Sequence, residues 1–314
     1  MIYLIKELRL FLKVNFSFWK YSAILLFTAI LITLNYSLNI DDSLNEAFRF
    51  TPWIFPIYIF RNIIAYFGAI GIVLLFSKIK IKKLKEFFII STISIIIYSF
   101  YSKFYFHISL VKTFDFSLRY YFHYIFANLQ GIVSLVLPLL MIFLIFNRKD
   151  KLGFFGLNFK NLKPFRYLDV FIIIAIIVFI ASLLGSITEF YPAYRYTFYQ
   201  SASKHLGISN SLAITGFEIS YAIDFIFIEL FFRGVLILGL IKYLGKDAIL
   251  PMIVLYTVIH FGKPLPETIS SFFGGYVLGV IAYSQKHIRT GIVFHLVLAL
   301  GMELFAFLRI AGYY

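Results

Sequence analysis

"DFIFIELFFRGVL", residues 224 to 236, sets three charged side chains, Asp224, Glu229 and Arg233, in one of the most apolar parts of the chain. The apolar background extends from about residue 211 to 241. That exceeds the roughly 20 residues that cross a hydrocarbon core about 30 Å thick. A helix here is read as a membrane span, and each of its charges is costly: about 2.5 to 3.5 kcal/mol at a span centre on insertion scales. Residues kept at such a cost are candidates for function.

The rest of the chain repeats the pattern. Its 314 residues are 61% hydrophobic and 14% charged, against about a quarter charged in soluble domains, which excludes a soluble globular protein. Apolar runs are expected to span at 21–38, 53–76, 86–101, 122–146, 168–187, 211–241, 248–262, 268–284 and 290–309. They are too many for signal peptides. Open strands cannot hide their backbone groups in lipid, so the expected fold is all-α, a polytopic transmembrane helical bundle of about nine spans, eight to ten. Residues 1–19 place Lys6, Arg9 and Lys13 at helical spacing beside Leu and Ile, the pattern of an amphipathic surface helix.

The formal charge of +14 lies in short blocks between apolar runs, not on one face interleaved with stacking aromatics. Nucleic acid is therefore excluded as a partner, and the blocks are read as topology signals. Basic segments at 77–86, 147–166, 242–247 and 285–289 alternate with loops poor in Lys and Arg, including acidic 40–48. This places the N-terminus in the cytoplasm and the C-terminus outside. Cysteine is absent, which rules out disulfides, Cys-ligated zinc and a Cys nucleophile. Residues 147–166, punctuated by Gly153, Gly156, Asn158, Asn161 and Pro164, read as a linker. It divides an N-terminal part (1–146, the amphipathic helix plus about four spans) from a C-terminal helical core (147–314).

The core collects the intramembrane polar groups: Glu218, Asp224, Glu229 and Arg233 in the sixth span, His260 at the end of the seventh, His295 and Glu303 in the ninth. Arg61, His107 and His123 lie near span ends and are read as interface contacts. Glu229 and Arg233 are four residues apart and share a helix face, as an ion pair that is either structural or part of a site. At 1.5 Å per residue, Glu229 and His260 each lie roughly 18 Å from the cytoplasmic ends of their spans and His295 roughly 8 to 12 Å from its own. The three are thus expected to meet in the cytoplasmic half. Glu, His and His on three helices form a water-activating or metal-binding set, because imidazole and carboxylate serve both as zinc ligands and as general bases. The helical zinc motif HExxH is absent. Lys263 and Glu267, just past His260, are read either as a solvated loop pair or as part of the site. Gly274, Gly275 and Gly279 are read as notches for close helix packing.

"IELFFRG" (228–234), "YTVIHFGKP" (256–264) and "GIVFHLVLALG" (291–301) together resemble the three motifs of the CPBP intramembrane proteases, or Abi family. That family includes type II CAAX prenyl proteases and bacteriocin-processing or immunity proteins, and the resemblance covers about residues 150–314. It implies a hydrolase in a bacterial cytoplasmic membrane that cleaves a peptide or prenylated protein by attack of an activated water. Its implied catalytic set is Glu229, Arg233, His260 and His295, with Glu229, His260 and His295 also able to take a divalent metal such as zinc; a metal-free site is the alternative. The family's first motif is Glu-Glu-x-x-x-Arg. Aligned on Arg233, it puts Ile228 where the first glutamate stands. Tyr256 and His260 match the second motif, and His295 matches the third, whose later Asn or Asp is here Ala299. Asp224, four residues before Ile228, and Glu303, four after Ala299, are the stand-ins that helical spacing offers. The alternative function is a catalytically inactive relative that acts as a membrane scaffold or immunity protein; a transporter is the third reading.

Overall fold

The structure, a computed structural model, describes residues 2–77, 79, 84–158, 168–183 and 185–313. Among these no strand occurs. The N-terminal part comprises α1 (Ile2–Asn15), α2 (Phe18–Leu38), α3 (Ile40–Phe48), α4 (Ile54–Phe76), α5 (Lys85–Lys103), α6 (His107–Val111), α7 (Phe116–Leu129) and α8 (Leu137–Ile142). Two π-helical turns, Ile132–Val136 and Phe143–Asn147, flank α8 and join it to α7 as one long apolar rod. The core comprises α9 (Leu168–Ser182), α10 (Gly185–Phe190), α11 (Tyr199–Leu206), α12 (Asn210–Glu229), α13 (Ile241–Leu244), α14 (Ile249–Val258), α15 (Leu265–Gln285) and α16 (Arg289–Ile310). A ten-residue π-helical stretch, Leu230–Gly239, continues α12.

Among the described residues, six helices are long and apolar enough to cross a membrane: Phe18–Leu38, Ile54–Phe76, Lys85–Val111, Phe116–Asn147, Leu265–Gln285 and Arg289–Ile310. Apolar side chains such as Leu26, Leu75, Met141, Ile145 and Ile177 point outward, as a lipid-facing belt requires. This is an integral membrane protein. The other three apolar runs, at 168–187, 211–241 and 248–262, lie outside this set among the described residues. Among the described side chains α9 contributes a shorter apolar helix, Val170–Ile180, and α12 carries three carboxylates, Glu218, Asp224 and Glu229. The ten residues of α14 rise only roughly 15 Å, half the hydrocarbon thickness, and every one of them is buried. Packed between α4, α15, α2 and the π-helical stretch, α14 has protein, not lipid, for surroundings.

Part of the expected linker is fastened to this core. Phe155, in the left-handed region at φ 49°, is buried. A Cβ on Gly239 would lie 2.8 Å from its ring and one on Gly234 3.0 Å from its carbonyl oxygen, so the two glycines admit it. Asn161 and Pro164 of that linker, and Lys78, Lys80, Lys82 and Lys83 of the basic block at 77–86, lie outside the described residues. At the other end of the chain, Phe11 of α1 is buried and meets Tyr276 and Tyr283 of α15 edge-on, with ring centroids 6.4 and 5.7 Å away. Gly275 and Gly279 of α15 give the close approach to α14 that small residues permit: Cβ atoms there would come within 2.9 Å of Tyr256 and 3.0 Å of Met252. Gly274 faces open space.

A buried ion pair closes the bundle across the sequence. Lys20 of α2 donates to Asp247 at 2.5 Å, and Ser77 donates to the other oxygen of Asp247 at 2.8 Å. Removing one partner leaves an uncompensated buried charge, whereas replacing both by apolar groups is close to neutral. Lys20→Met is therefore expected to cost about 3 to 5 kcal/mol in detergent unfolding, with Lys20→Met/Asp247→Leu recovering most of it. Equal stability of the single variant and the wild type would contradict this account.

Candidate functional site

The site begins at the C-terminal end of α12. This helix is started by Ser209, whose side chain accepts from the Leu212 N–H at 3.2 Å, a standard N-cap. Its last residue, Glu229, is completely buried. One carboxylate oxygen, Oε1, lies 3.0 Å from Nη1 of Arg233 and 3.1 Å from Nδ1 of His295 on α16. Arg233, in the π-helical stretch, is also completely buried. Among the described residues none of its nitrogens has a hydrogen bond of ordinary geometry. Its charge is held instead by Glu229 and by the face of Tyr256 on α14, with Cζ 4.3 Å from the ring centroid, a cation–π contact strengthened by exclusion of water. Such a wide helical turn is a frequent feature of functional sites.

Tyr256 carries the network onward. Its ring meets that of His260 edge-on at 4.7 Å, and its carbonyl oxygen is 2.7 Å from His260 Nδ1. A carbonyl only accepts, so the proton is on Nδ1 and the lone pair on Nε2. A carboxylate likewise only accepts, so His295 donates from Nδ1 to Glu229, which in the neutral imidazole leaves the lone pair on Nε2. Five side chains from four helical segments and the turn that follows α14 thus form one chain of contacts, His295–Glu229–Arg233–Tyr256–His260. This is the arrangement in which a buried carboxylate orients a histidine and stabilises its protonated form. Among the described residues neither Nε2 has a hydrogen-bond partner.

The remaining predicted residues go elsewhere. Asp224 accepts from the hydroxyl of Tyr101 on α5, so it faces the N-terminal part. Glu303 is buried and both its oxygens accept from the Ala193 N–H, at 2.9 and 2.8 Å; Glu218 lies beside it. Neither Asp224 nor Glu303 has a hydrogen bond to His260 or His295 among the described residues. Ile228 packs against the core and Ala299 is buried. Lys263 and Glu267 pair at 2.6 Å while staying partly exposed. In the N-terminal part Arg61 pairs with Asp41, and His107 joins Gln130 and His123 at 3.0 and 3.1 Å.

Among the described residues no three His, Asp or Glu side chains converge as a ligand group. Glu229 Oε1 is engaged by His295 and Arg233, and His260 Nδ1 by the Tyr256 carbonyl. A zinc site of the ordinary kind needs at least three protein ligands.

Two contributors were not singled out from the sequence. Tyr101 gives no signal of its own, being one aromatic among many. Gly291 does: it precedes His295 by four residues on the same face of α16. A Cβ built there would overlap Glu229 Oε2 and lie 3.2 Å from Cδ.

With the geometry established, comparison with known proteins adds one match. Residues 210–300 match the type II CAAX prenyl endopeptidase Rce1-like family. The matched segment covers less than half of the chain, yet it contains all five members of the contact network and ends before Glu303. The chain thus carries an Rce1-like segment, consistent with a CPBP family protein and with a CAAX protease-like membrane endopeptidase. No curated protein and no solved structure matches it.

The ion pair inside the Rce1-like segment has a testable energetic role. Arg233→Met leaves the Glu229 carboxylate buried without a cation and is expected to lose about 3 to 5 kcal/mol of stability. Arg233→Met/Glu229→Leu is expected to regain most of it. Thermal and chaotrope unfolding in one detergent would measure both; a single variant as stable as wild type would refute the role.

Proposed function

We propose that this protein is an intramembrane endopeptidase of the CAAX protease type, hydrolysing a peptide bond with water activated at the Glu229, His260 and His295 site. The observation that carries the reading is the 3.1 Å contact between His295 Nδ1 and the wholly buried Glu229 carboxylate. Its own burial keeps Glu229 from touching substrate, so it acts through the imidazole. Nε2 of His295 takes a proton from water as the water oxygen attacks the scissile carbonyl; the C–N bond then breaks and the proton passes to the leaving amine. Glu229 stabilises the imidazolium in between, and Arg233 holds the carboxylate from its other side. His260, with Nε2 free, orients the water or stabilises the developing oxyanion.

The substrate we assign is a peptide presented at the membrane, either a prenylated protein terminus or a leader peptide, with the N-terminus of the protease on the cytoplasmic side. A second reading, an inactive relative serving as scaffold or immunity protein, draws support from apolar Ile228 and Ala299 at two motif positions. Cleavage assays on full-length protein in nanodiscs, against prenylated and leader-peptide libraries, separate the two. The protease reading expects turnover by wild type, reduced roughly 10²- to 10⁴-fold in His295→Ala, His260→Ala and Glu229→Gln. No turnover by wild type, or turnover untouched by both histidine changes, leaves the scaffold reading standing.

A further inference from the structure

The carboxylate of Glu229 is pinned through one oxygen only. Oε1 meets Arg233 and His295, whereas Oε2 is buried with no hydrogen-bond partner among the described residues. What lies against Oε2 is the α carbon of Gly291, on the turn of α16 directly before His295. Any side chain at 291 would occupy the place of Oε2, since a Cβ there overlaps that oxygen and stands 3.2 and 3.9 Å from Cδ and Oε1. The carboxylate sits in a completely buried pocket and cannot retreat into solvent. Crowding at 291 must therefore turn or withdraw it, and the contact that shares its geometry is the one to His295.

We infer that Gly291 is a positioning residue for the Glu229–His295 couple: the missing side chain at 291 lets the carboxylate enter α16 far enough to accept from His295 Nδ1. This rests on the protease reading only for its effect on catalysis, because the geometric effect on His295 exists whether or not the protein cleaves anything. A small displacement at a reacting group costs rate steeply, roughly a hundredfold for 1 Å. Gly291→Ala should accordingly lower turnover by about that factor while leaving KM nearly unchanged. The compensating change is specific. Glu229→Asp shortens the carboxylate arm by one methylene and vacates the space that a Cβ at 291 needs.

The test compares wild type, Gly291→Ala, Glu229→Asp and Gly291→Ala/Glu229→Asp, all full-length in nanodiscs, by ¹⁵N-histidine NMR and by cleavage. Wild type is expected to show His295 as the Nδ1-protonated tautomer. Gly291→Ala should give a mixture of tautomers, and the double variant should return toward Nδ1-H and turn over faster than Gly291→Ala. Should Gly291→Ala fail to fold, the double variant is expected to fold, because the clash is with the carboxylate itself. An unchanged tautomer in Gly291→Ala, additive losses in the double variant, or failure of both variants to fold overturns the assignment. Wild type that shows the expected NMR pattern but no cleavage overturns the protease reading and keeps Gly291 in its role.

Discussion

Glu229 and Arg233 are both shut away from solvent, and the Coulomb attraction between them must offset the desolvation of two ions. Much of the surrounding architecture follows from that demand. The guanidinium needs a second electron-rich neighbour, which is the Tyr256 ring. Tyr256 needs a helix held rigidly in the protein interior, which is α14. That helix needs a neighbour able to come close, which α15 supplies through Gly275. The carboxylate needs room on α16, which Gly291 supplies. A single pair of opposite charges thus dictates contacts on four helical segments.

Much of this was legible in the residues and some was not. Counting along helices puts Glu229 and His260 at a common depth and His295 in the same half of the membrane, and of these Glu229 and His295 touch; the spacing of Glu229 and Arg233 announces their pairing. His260 joins them through Tyr256, a link that depth alone does not reveal. Asp224 and Glu303 share a helix face with Ile228 and Ala299, but a shared face says nothing about what the neighbouring helix offers. Tyr101 and the Ala193 N–H are nearer partners for them. The surroundings of α14 are illegible for a related reason. Hydropathy registers that α14 avoids water without distinguishing lipid from protein as what surrounds it.

The division of labour inside the network bears on the departure at Ile228. A glutamate in direct contact with water would need access to the substrate, and Glu229 has none. An imidazole backed by a buried carboxylate needs no second acid beside it, because the carboxylate fixes the tautomer and balances the charge that develops during proton transfer. In the proposed mechanism the apolar side chain at 228 accordingly removes one route to an activated water without touching the imidazole route.

The burial of α14 also constrains how the protein is made. A ten-residue helix flanked by polar turns has too little hydrocarbon length to be retained in a bilayer alone. Its insertion is thermodynamically tied to that of α15, and its final position to the prior arrival of α2 and α4, which pack against it. The N-terminal helices α2 and α4, which lie outside the Rce1-like segment, thus supply the walls against which α14 of that segment is held.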